Sequence, residues 1–403
     1  MTQAGGRAYR AIPGPTVVPD EVLQAMHRAA PNIYDDEVMT LTESLLPDLK
    51  RVARTQGEAA IYICNGHGTW EAALSNLVAP GEAVLVPATG LFGHGWGRMA
   101  SAMGIEVQVL DFGLSAPAEP EQIYDVLKAD QDRKIKAVLA THVDTSTSMR
   151  NDVKAISEAI QRADHPALLM ADCIASMGCD RFEMDAWGAD VAITGSQKGL
   201  MTPPGLGFVF FNDKAARARQ AMPRVSPYWD WAPRVAPDEL YLYFAGTAPT
   251  HHLYGLRTSL DMIHAESVDA VWARHDHLAR AVWAACDTWG QGGPLRLNVT
   301  DPNHRSAAVT TVHLSAPDAT RLRAWVEAHT GVTLGLGIGM QSEEDPTGEG
   351  VFRIGHMGHV NAHMVLGVLS AIEAGLKALG IDHAPGGVSA ATDVLAKARP
   401  NSA

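Results

Sequence analysis

Charge is scarce in this sequence, and basic charge is scarcer than acidic charge. Charged residues make up 19% of the 403 residues, whereas 46% are hydrophobic. The 32 Lys and Arg residues are outnumbered by 45 Asp and Glu, which gives a net charge of -13 and leaves no basic tract. This balance argues against nucleic acid or an anionic membrane as a partner and favours small molecules. The apolar content predicts a globular protein with one large domain and a smaller one.

Cysteine and long apolar runs are lacking as well. The four cysteines, Cys64, Cys173, Cys179 and Cys286, have no CxxC or Cys/His metal spacing, so we expect reduced, buried thiols and no metal site. No stretch approaches the roughly 18 unbroken apolar residues of a membrane span, and the first residues contain no apolar signal segment. We therefore expect a cytoplasmic protein without a membrane partner.

Between residues 58 and 212 the sequence instead alternates short apolar runs with longer segments of helical period. The runs are "AAIYIC", "AVLVPA", "AVLATH", "ALLMAD", "DVAITG" and "GFVFF". Strands that are buried on both faces have continuous apolar sequences, so this rhythm predicts an α/β fold with a largely parallel sheet. Ligands of such sheets bind beyond the carboxyl ends of the strands, where this sequence has polar or glycine-rich turns.

At about Val268 the sequence pattern changes to long helical segments and a few strands, and this change predicts a compact α+β unit. We predict an N-terminal arm (1–20), a large domain (21–267), a small C-terminal domain (268–385) and a tail (386–403). The tail is expected to be a loosely held helix. The glycine-rich segment within residues 331–339 is expected to form a flexible loop over the site.

Two residues at the ends of apolar runs carry the strongest chemical signal. Lys198 lies in "ITGSQKGLMTPPG", where a partly desolvated amine has a lowered pKa and is a plausible Schiff-base nucleophile. Asp172 ends "ALLMAD" and could hold the protonated ring nitrogen of pyridoxal phosphate. Taken singly, a turn lysine on the surface and a helix-capping or ion-paired aspartate are the ordinary alternatives.

The turn "CNGHGTWEAAL" would place backbone N–H groups at a helix start, where a phosphate is favoured, with Asn65 and His67 as added donors. In "GLFGHGWG", Phe92 or Trp96 could stack on an aromatic cofactor, although either could equally be a core residue. Thr145 has a hydroxyl that could reach the cofactor's phenolic oxygen or simply form a turn. Arg353, inside the apolar strand "VFRIGHMG", needs an anion, either a substrate carboxylate or a structural ion-pair partner.

Together these motifs resemble the class V aminotransferases of pyridoxal-phosphate fold type I, in the alanine–glyoxylate and serine–glyoxylate branch. The resemblance extends from Ile12 to about Gly380 and rests on the stretches "PGPTVVPDEVLQAM", "GHGTWEAAL", "TGLFG", "THVDTSTS", "DCIAS", "TGSQKGLMTPPG", "GTAPT" and "VFRIGHMG". It implies a large, mostly parallel seven-stranded sheet domain, a small C-terminal α+β domain and an obligate homodimer with shared active sites.

The resemblance also implies a role for each matching residue. Lys198 would form the Schiff base with pyridoxal phosphate, Asp172 would pair with the ring nitrogen, and Thr145 would contact the phenolic oxygen. Ile174 would pack on one face of the ring opposite an aromatic residue, and Arg353 would bind the substrate carboxylate. The expected phosphate ligands are Asn65, Gly66, His67, Gln197 and Thr247 of the partner subunit.

This chain departs from the family pattern in three places. The ring-stacking position, which is often Trp in the family, is occupied by Phe92 in this chain. The position three residues before the phosphate-binding threonine, which is commonly Tyr in the family, is occupied by Phe244. The stretch "IYDDE" around Tyr34 replaces the usual "HRSP" near the substrate side-chain pocket, so Tyr34 is the expected substrate contact there. "IYDDE", "VWARH" and "RIGHMG" resemble pyridoxamine–pyruvate aminotransferases, which have an acidic residue at the position of His67.

We therefore expect a ping-pong aminotransferase that moves an amino group from serine, alanine or aspartate to glyoxylate or pyruvate. The alternatives within the class are pyridoxamine–pyruvate and ureidoglycine–glyoxylate aminotransferases. Outside the class they are a non-catalytic protein that keeps the fold and a hydrolase using Cys64 or Cys173.

Overall fold

The computed structural model of the protein describes residues 4–397. The strands are β1 (Tyr9–Ala11), β2 (Glu58–Tyr62), β3 (Ala83–Ala88), β4 (Glu106–Asp111), β5 (Ile135–Thr141), β6 (Val143–Asp144), β7 (Met149–Arg150), β8 (Leu168–Asp172), β9 (Val191–Gly195), β10 (Gly207–Phe211), β11 (Arg296–Leu297), β12 (Val309–His313), β13 (Val332–Leu336) and β14 (Val351–Gly355). The helices are α1 (Asp20–Met26), α2 (Asp36–Ala53), α3 (Gly66–Leu77), α4 (Leu91–Ala102), α5 (Pro120–Ala129), α6 (Val153–Arg162), α7 (Met184–Trp187), α8 (Asp213–Ala221), α9 (Leu240–Phe244), α10 (Thr250–Glu266), α11 (Val268–Gly290), α12 (Asp318–Thr330), α13 (Ala362–Leu379) and α14 (Gly387–Leu395).

Within the described residues, seven strands form one large sheet in the order β2-β10-β9-β8-β5-β3-β4. The pairs between β9, β8, β5, β3 and β4 are parallel, while β10 runs antiparallel to both of its neighbours. Strands β3, β8, β9 and β10 are buried along their whole length, as their continuous apolar sequences predict. The predicted seven-stranded α/β architecture is confirmed.

The apolar runs account for the other six strands of this sheet but not for β4. Strand β4 lies at the edge of the sheet beside β3, and all of its residues are exposed or half-exposed. Its sequence, "EVQVLD", therefore alternates polar and apolar residues, as expected for a strand with one solvated face. A search for fully apolar runs passes over such an edge strand.

In the part of the chain that the structure describes, a second, small sheet has the order β1-β13-β14-β12-β11. The N-terminal arm supplies β1, which pairs in parallel with β13 more than 300 residues later. The glycine-rich segment expected to be a flexible loop is in part strand, because Gly335 and Leu336 pair with Arg353 and Phe352 of β14. That expectation is therefore wrong for the first half of the segment.

Helix α11 connects the two cores. It begins next to the predicted domain boundary, with the Ser267 side chain accepting a hydrogen bond from the Ala270 N–H, and its first turns pack into the large-domain core. From Leu278 onward the same helix lies in the core of the small domain. Helix α14, within the predicted loose tail, packs against α11 and α13 and thereby adds to the small domain.

Helix α13 is long and apolar enough, by length and composition, to cross a membrane. Four of its apolar side chains, Val365, Leu369, Ile372 and Leu376, are buried in the small-domain core. A core helix of a two-layer domain has the same composition, so its packing accounts for its hydropathy.

Candidate active site

A cavity of about 110 Å³ lies at the carboxyl ends of the large-sheet strands. Its lining residues are Gly66, His67, Trp70, Phe92, Val143, Thr145, Asp172, Ile174, Ala175, Gln197 and Lys198. Eight of these residues were predicted from the sequence, although they come from segments more than 130 positions apart. They meet because the carboxyl ends of neighbouring parallel strands lie at the same edge of the sheet.

Lys198 follows β9 and lies mostly buried beside the N-terminal arm. Its Nζ donates a hydrogen bond to the Pro13 carbonyl oxygen. Burial lowers the pKa of Lys198 from its usual 10.5 to about 8, and the charge of Arg353 acts in the same direction. A much larger share of the amine is therefore unprotonated near neutral pH than for an ordinary lysine, and the unprotonated amine is the form that can act as a nucleophile or base.

Gly14 allows this approach of the arm to the lysine. It has a left-handed φ of +82°, and a Cβ at this position would lie 2.5 Å from Lys198 Cδ. The Thr16 hydroxyl donates to the Lys198 carbonyl oxygen at 3.0 Å and extends the contact. The arm therefore forms one wall around the lysine side chain.

Asp172 ends β8 and lies buried at the base of the cavity. Its Oδ1 accepts a hydrogen bond from the Ile174 N–H at 2.9 Å, and its Oδ2 accepts one from Trp70 Nε1 at 2.8 Å. Burial raises the pKa of Asp172 from 3.8 to about 7, while these two hydrogen bonds oppose that rise. The carboxyl group is thus poised to pair with a protonated ring nitrogen.

The N-terminus of α3 opens toward the same cavity at Gly66. Because the first N–H groups of a helix have no partner within it, this end favours a bound anion. A Cβ at Gly66 would lie 2.4 Å from Ile174 Cδ1, so a larger residue there would force the Ile174 side chain to shift. Asn65 is exposed and caps the helix, its Oδ1 accepting from the N–H groups of His67 and Gly68. Its predicted phosphate contact stays a prediction.

A buried oxygen atom in the cavity lacks a partner. Among the residues that the structure describes, Gln197 Oε1 has no hydrogen-bond partner. Thr145 is also buried and lines the same cavity. Buried polar groups are rarely left unpaired in a native protein, so the Gln197 side chain indicates a ligand in the cavity.

The structure separates the two aromatic candidates for ring stacking. Phe92 lines the cavity, whereas Trp96 is fully buried behind it and stacks on Trp70 with ring centroids 6.1 Å apart. Asp144 fixes the backbone of Phe92 by accepting hydrogen bonds from the N–H groups of Phe92 and Gly93 at 2.8 and 3.1 Å. Its other oxygen accepts from Ser146, next to Thr145.

Arg353 projects from β14 of the small sheet and is 6% exposed. Its guanidinium donates from Nη1 to the Thr145 carbonyl oxygen at 2.7 Å and from Nε to the Leu336 carbonyl oxygen at 2.5 Å. No carboxylate within residues 4–397 forms a salt bridge with it. A buried guanidinium that is bound only to carbonyl oxygens retains its full charge and can still bind an anion.

Four predicted site residues are not among those that line the cavity: Asn65, Arg353, Tyr34 and Thr247. Asn65 caps α3 next to Gly66, and Arg353 binds the Thr145 carbonyl oxygen. Tyr34 lies between α1 and α2 and is 91% exposed. Thr247 lies exposed in the turn between α9 and α10, and Phe244 is buried in the large-domain core. The predicted phosphate contact of Thr247 is one with the site of the partner subunit, and the predicted contact of Tyr34 is one with the substrate; both stay predictions.

The family follows from comparison with known sequences. The sequence model of the family described as "Aminotransferase class-V" matches residues 13–341. The chain belongs to this family. As a class-V aminotransferase it is a transaminase that uses pyridoxal phosphate as its cofactor.

Relatives and solved structures agree with this assignment along almost the whole chain. The aminotransferase is 35% identical to a serine–glyoxylate aminotransferase of Methylorubrum extorquens, over 98% of this chain and 97% of the relative. It resembles a ureidoglycine–glyoxylate aminotransferase structure from Bacillus subtilis with a TM-score of 0.86 and 27% identity, over 97% and 99% of the two chains. It resembles the pyridoxamine–pyruvate aminotransferase structure from Mesorhizobium loti with a TM-score of 0.87 and 25% identity, over 98% and 99%.

The cavity of this aminotransferase fits the cofactor. The unpartnered Gln197 side chain, the Thr145 hydroxyl that lines the cavity and the helix start at Gly66 would supply polar contacts for phosphate and phenolic oxygens. Asp172 would hold the ring nitrogen, with Ile174 and Phe92 lining the site, and Lys198 would hold the carbonyl carbon. Pyridoxal phosphate, when bound, acts as an electron sink for the bonds at the substrate Cα.

Sequence analysis of this aminotransferase missed three contributors to the site. Trp70 lies four residues after Gly66, one turn further along the cavity-facing side of α3, and that helical spacing was an available signal. Asp144 precedes Ser146 by two residues, a spacing typical of an aspartate that binds nearby backbone N–H groups. The contact between Pro13 and Lys198 had no local signal, because it joins residues 185 positions apart.

Proposed function

We propose that this aminotransferase moves an amino group from a small L-amino acid, with serine as the first candidate, to a small 2-oxo acid such as glyoxylate or pyruvate. The observation that carries the proposal is the unpaired guanidinium of Arg353, bound to the carbonyl of a cavity residue, Thr145, near the Lys198 amine. The serine–glyoxylate relative supports this choice of donor and acceptor.

Lys198 carries out the proton transfer in this proposal. Its Nζ accepts the proton that leaves the substrate Cα and would deliver it to the C4′ carbon of the cofactor, which the transfer of the amino group to the cofactor requires. Burial favours this role, because it lowers the pKa of the amine toward the working pH. Arg353 binds the substrate carboxylate in two parallel hydrogen bonds and thereby directs the Cα–H bond toward Lys198.

We propose a ping-pong order, in which the 2-oxo acid made from the donor leaves before the acceptor binds. The test is to mix the cofactor-loaded protein with one amino acid at a time and no 2-oxo acid. We expect L-serine to bleach the visible absorbance band and to release about one equivalent of 2-oxo acid per subunit. Release only after glyoxylate is added would contradict the ping-pong order.

The same panel distinguishes the donor alternatives. L-alanine and L-aspartate test the other small amino acids as donors. Ureidoglycine and free pyridoxamine test the reactions named for the two structural neighbours. Pyridoxamine bleaching as fast as L-serine would replace the proposed donor. A loaded protein that responds to no donor would instead support a binding function without catalysis.

We also propose that two copies of the chain share their active sites. Support comes from Tyr34 and Thr247, which lie outside the cavity of their own chain, and from exposed apolar side chains on the same segments, Tyr34 at 91% and Tyr241 at 53%. Exposed aromatic side chains of this size commonly mark a protein interface.

Complementation tests the shared site. If Thr247 reaches the site of the partner subunit, mixing Lys198→Ala and Thr247→Ala chains creates dimers with one intact site. We expect the mixture to recover activity above that of either variant alone, and the wild type to sediment as a dimer. A monomer in sedimentation, with no recovery on mixing, would refute the shared site.

Finally, we propose that the protein resides in the cytoplasm and not in a membrane. All four cysteines, which lie within the described residues, are free thiols, as is usual in a reducing compartment. The buried face of α13 supports packing in the small domain over membrane insertion. Cell fractionation with a tagged chain tests this placement.

A further inference from the structure

Trp70 makes a specific polar contact beneath the cofactor cavity. Its indole Nε1 donates to Asp172 Oδ2 at 2.8 Å, and both side chains are buried, with Trp70 2% exposed and Asp172 3% exposed. The residues are 102 positions apart, and α3 brings the indole to the end of β8. A tryptophan N–H can only donate, so this contact favours the ionised carboxylate over the protonated acid.

The contact leaves Asp172 free to bind the cofactor as well. Each carboxylate oxygen can accept two hydrogen bonds, and Oδ1 and Oδ2 each accept one in this structure, from Ile174 N and Trp70 Nε1. The two bonds fix the plane of the carboxylate and leave one acceptor position on each oxygen. A protonated ring nitrogen could therefore bind Asp172 without displacing Trp70.

A neighbouring tryptophan shows that burial alone does not create such a contact. Trp96 is fully buried and stacks on Trp70 with an angle of 13° between the ring planes. Its Nε1 has no hydrogen-bond partner among the described residues. The two rings share the same apolar cluster, yet Trp70 alone of this pair reaches the carboxylate.

We propose that Trp70 is a positioning residue that holds Asp172 ionised and correctly oriented, so that Asp172 binds the protonated ring nitrogen of the cofactor. This inference rests on the family's cofactor and is independent of the proposed donor. Burial pushes the Asp172 carboxyl toward its neutral form, and Trp70 opposes that push. Without the indole N–H, the carboxylate loses one of the two charge-stabilising hydrogen bonds that the protein supplies.

The experiment compares two ligands that differ at one atom of the ring. Dissociation constants are measured on the apoprotein for pyridoxal phosphate and for its 1-deaza analogue, in which C–H replaces the ring nitrogen. Trp70→Phe removes the N–H and keeps an aromatic ring, and Trp96→Phe is the matched control. We expect Trp70→Phe to weaken pyridoxal phosphate binding about tenfold more than analogue binding, the size of one lost hydrogen bond to a charged group.

The quantity that decides is the ratio of the loss of pyridoxal phosphate affinity to the loss of analogue affinity, and a control variant and a second background are used to interpret it. Trp96→Phe should change both dissociation constants by the same factor, and in an Asp172→Asn background Trp70→Phe should also change both equally. Trp70→Leu, which also lacks the N–H, should reproduce the selective loss if the phenylalanine variant does not fold. Equal weakening of the two ligands by Trp70→Phe would mean that Trp70 only shapes the cavity, and would overturn the inference.

This outcome is separable from failure of the proposed function. If the wild-type protein binds pyridoxal phosphate but transfers no amino group, the proposed reaction fails and the ratio still tests Trp70. If the wild-type protein binds pyridoxal phosphate no better than the deaza analogue, Asp172 makes no ring-nitrogen contact and the inference about Trp70 is overturned.

Discussion

The two halves of the proposed active site are built in different ways. The proposed cofactor half, with Lys198, Asp172, Thr145 and Phe92, comes from the carboxyl edge of one mostly parallel sheet. The proposed substrate half depends on Arg353, which is carried by β14 of the small, mostly antiparallel sheet. The hydrogen bond from Arg353 to the Thr145 carbonyl joins the two halves.

This difference indicates that cofactor binding and substrate binding can be changed separately. A parallel sheet gathers side chains distant in sequence at one rigid edge, which suits a cofactor that stays bound through each cycle. A charge brought in by a second domain can instead move with that domain. Variants in each half should therefore give different kinetic signatures.

The largest effect is expected at Lys198, where the cofactor half performs the chemistry. Lys198→Ala should lower turnover by roughly 10²–10⁴-fold, since it removes the group that transfers the proton. Lys214→Ala is the matched control, because Lys214 also donates to a backbone carbonyl, that of Ala167, but lies outside the cavity. Steady-state rates measure both, and wild-type turnover in Lys198→Ala would refute the assigned role.

A smaller effect with a different signature is expected at Arg353. Arg353→Gln should lower kcat/KM for the amino donor by about 100-fold, through loss of a paired, charge-assisted contact, and should leave the cofactor dissociation constant within about twofold. Arg234 provides the contrast: it is a buried large-domain arginine bound to the carbonyls of Ile61, Tyr243 and Tyr228. Arg234→Gln should lower the unfolding temperature instead. A loss of cofactor affinity in Arg353→Gln as large as the loss of kcat/KM would contradict the division of the site into a cofactor half and a substrate half.

A substitution in the N-terminal arm tests whether the wall that the arm forms beside Lys198 affects cofactor loading. Gly14→Ala adds a Cβ 2.5 Å from Lys198 Cδ at a backbone φ of +82°, which costs about 1–3 kcal/mol in strain. We expect pyridoxal phosphate to load onto the apoprotein about tenfold more slowly, and the rise of visible absorbance measures this loading rate. Gly367→Ala, where no atom lies within 4 Å of the added Cβ, should load at the wild-type rate.

The smallest effect concerns the pH dependence of cofactor loading. It depends on both halves, because the charge of Arg353 acts on the Lys198 amine. Only the unprotonated amine reacts, so the loading rate should rise with pH and level off above a midpoint of about 8 instead of 10.5. Arg353 lowers the pKa of Lys198, so Arg353→Gln should move the midpoint to higher pH. An unchanged or lower midpoint would show that the Arg353 charge does not act on Lys198.

The sequence by itself determined the central sheet and most of the cofactor half. Strands buried on both faces must be apolar along their length, and residues that follow parallel strands must meet at one edge. Those two constraints are local, so Lys198, Asp172 and Thr145 could be found from the residues around them. The resemblance to a family then added Gln197 and Ile174 to that set and predicted a homodimer, which stays a prediction.

Only the tertiary structure decided which side chains touch. It placed Phe92 in the cavity and Trp96 behind it, joined Trp70 to Asp172, and set the arm beside Lys198. Periodicity along a chain reports which face of an element is buried, and not what lies opposite that face. A bond such as the one from Trp70 to Asp172 depends on how α3 packs against β8 and β9, and that packing is a property of the whole fold.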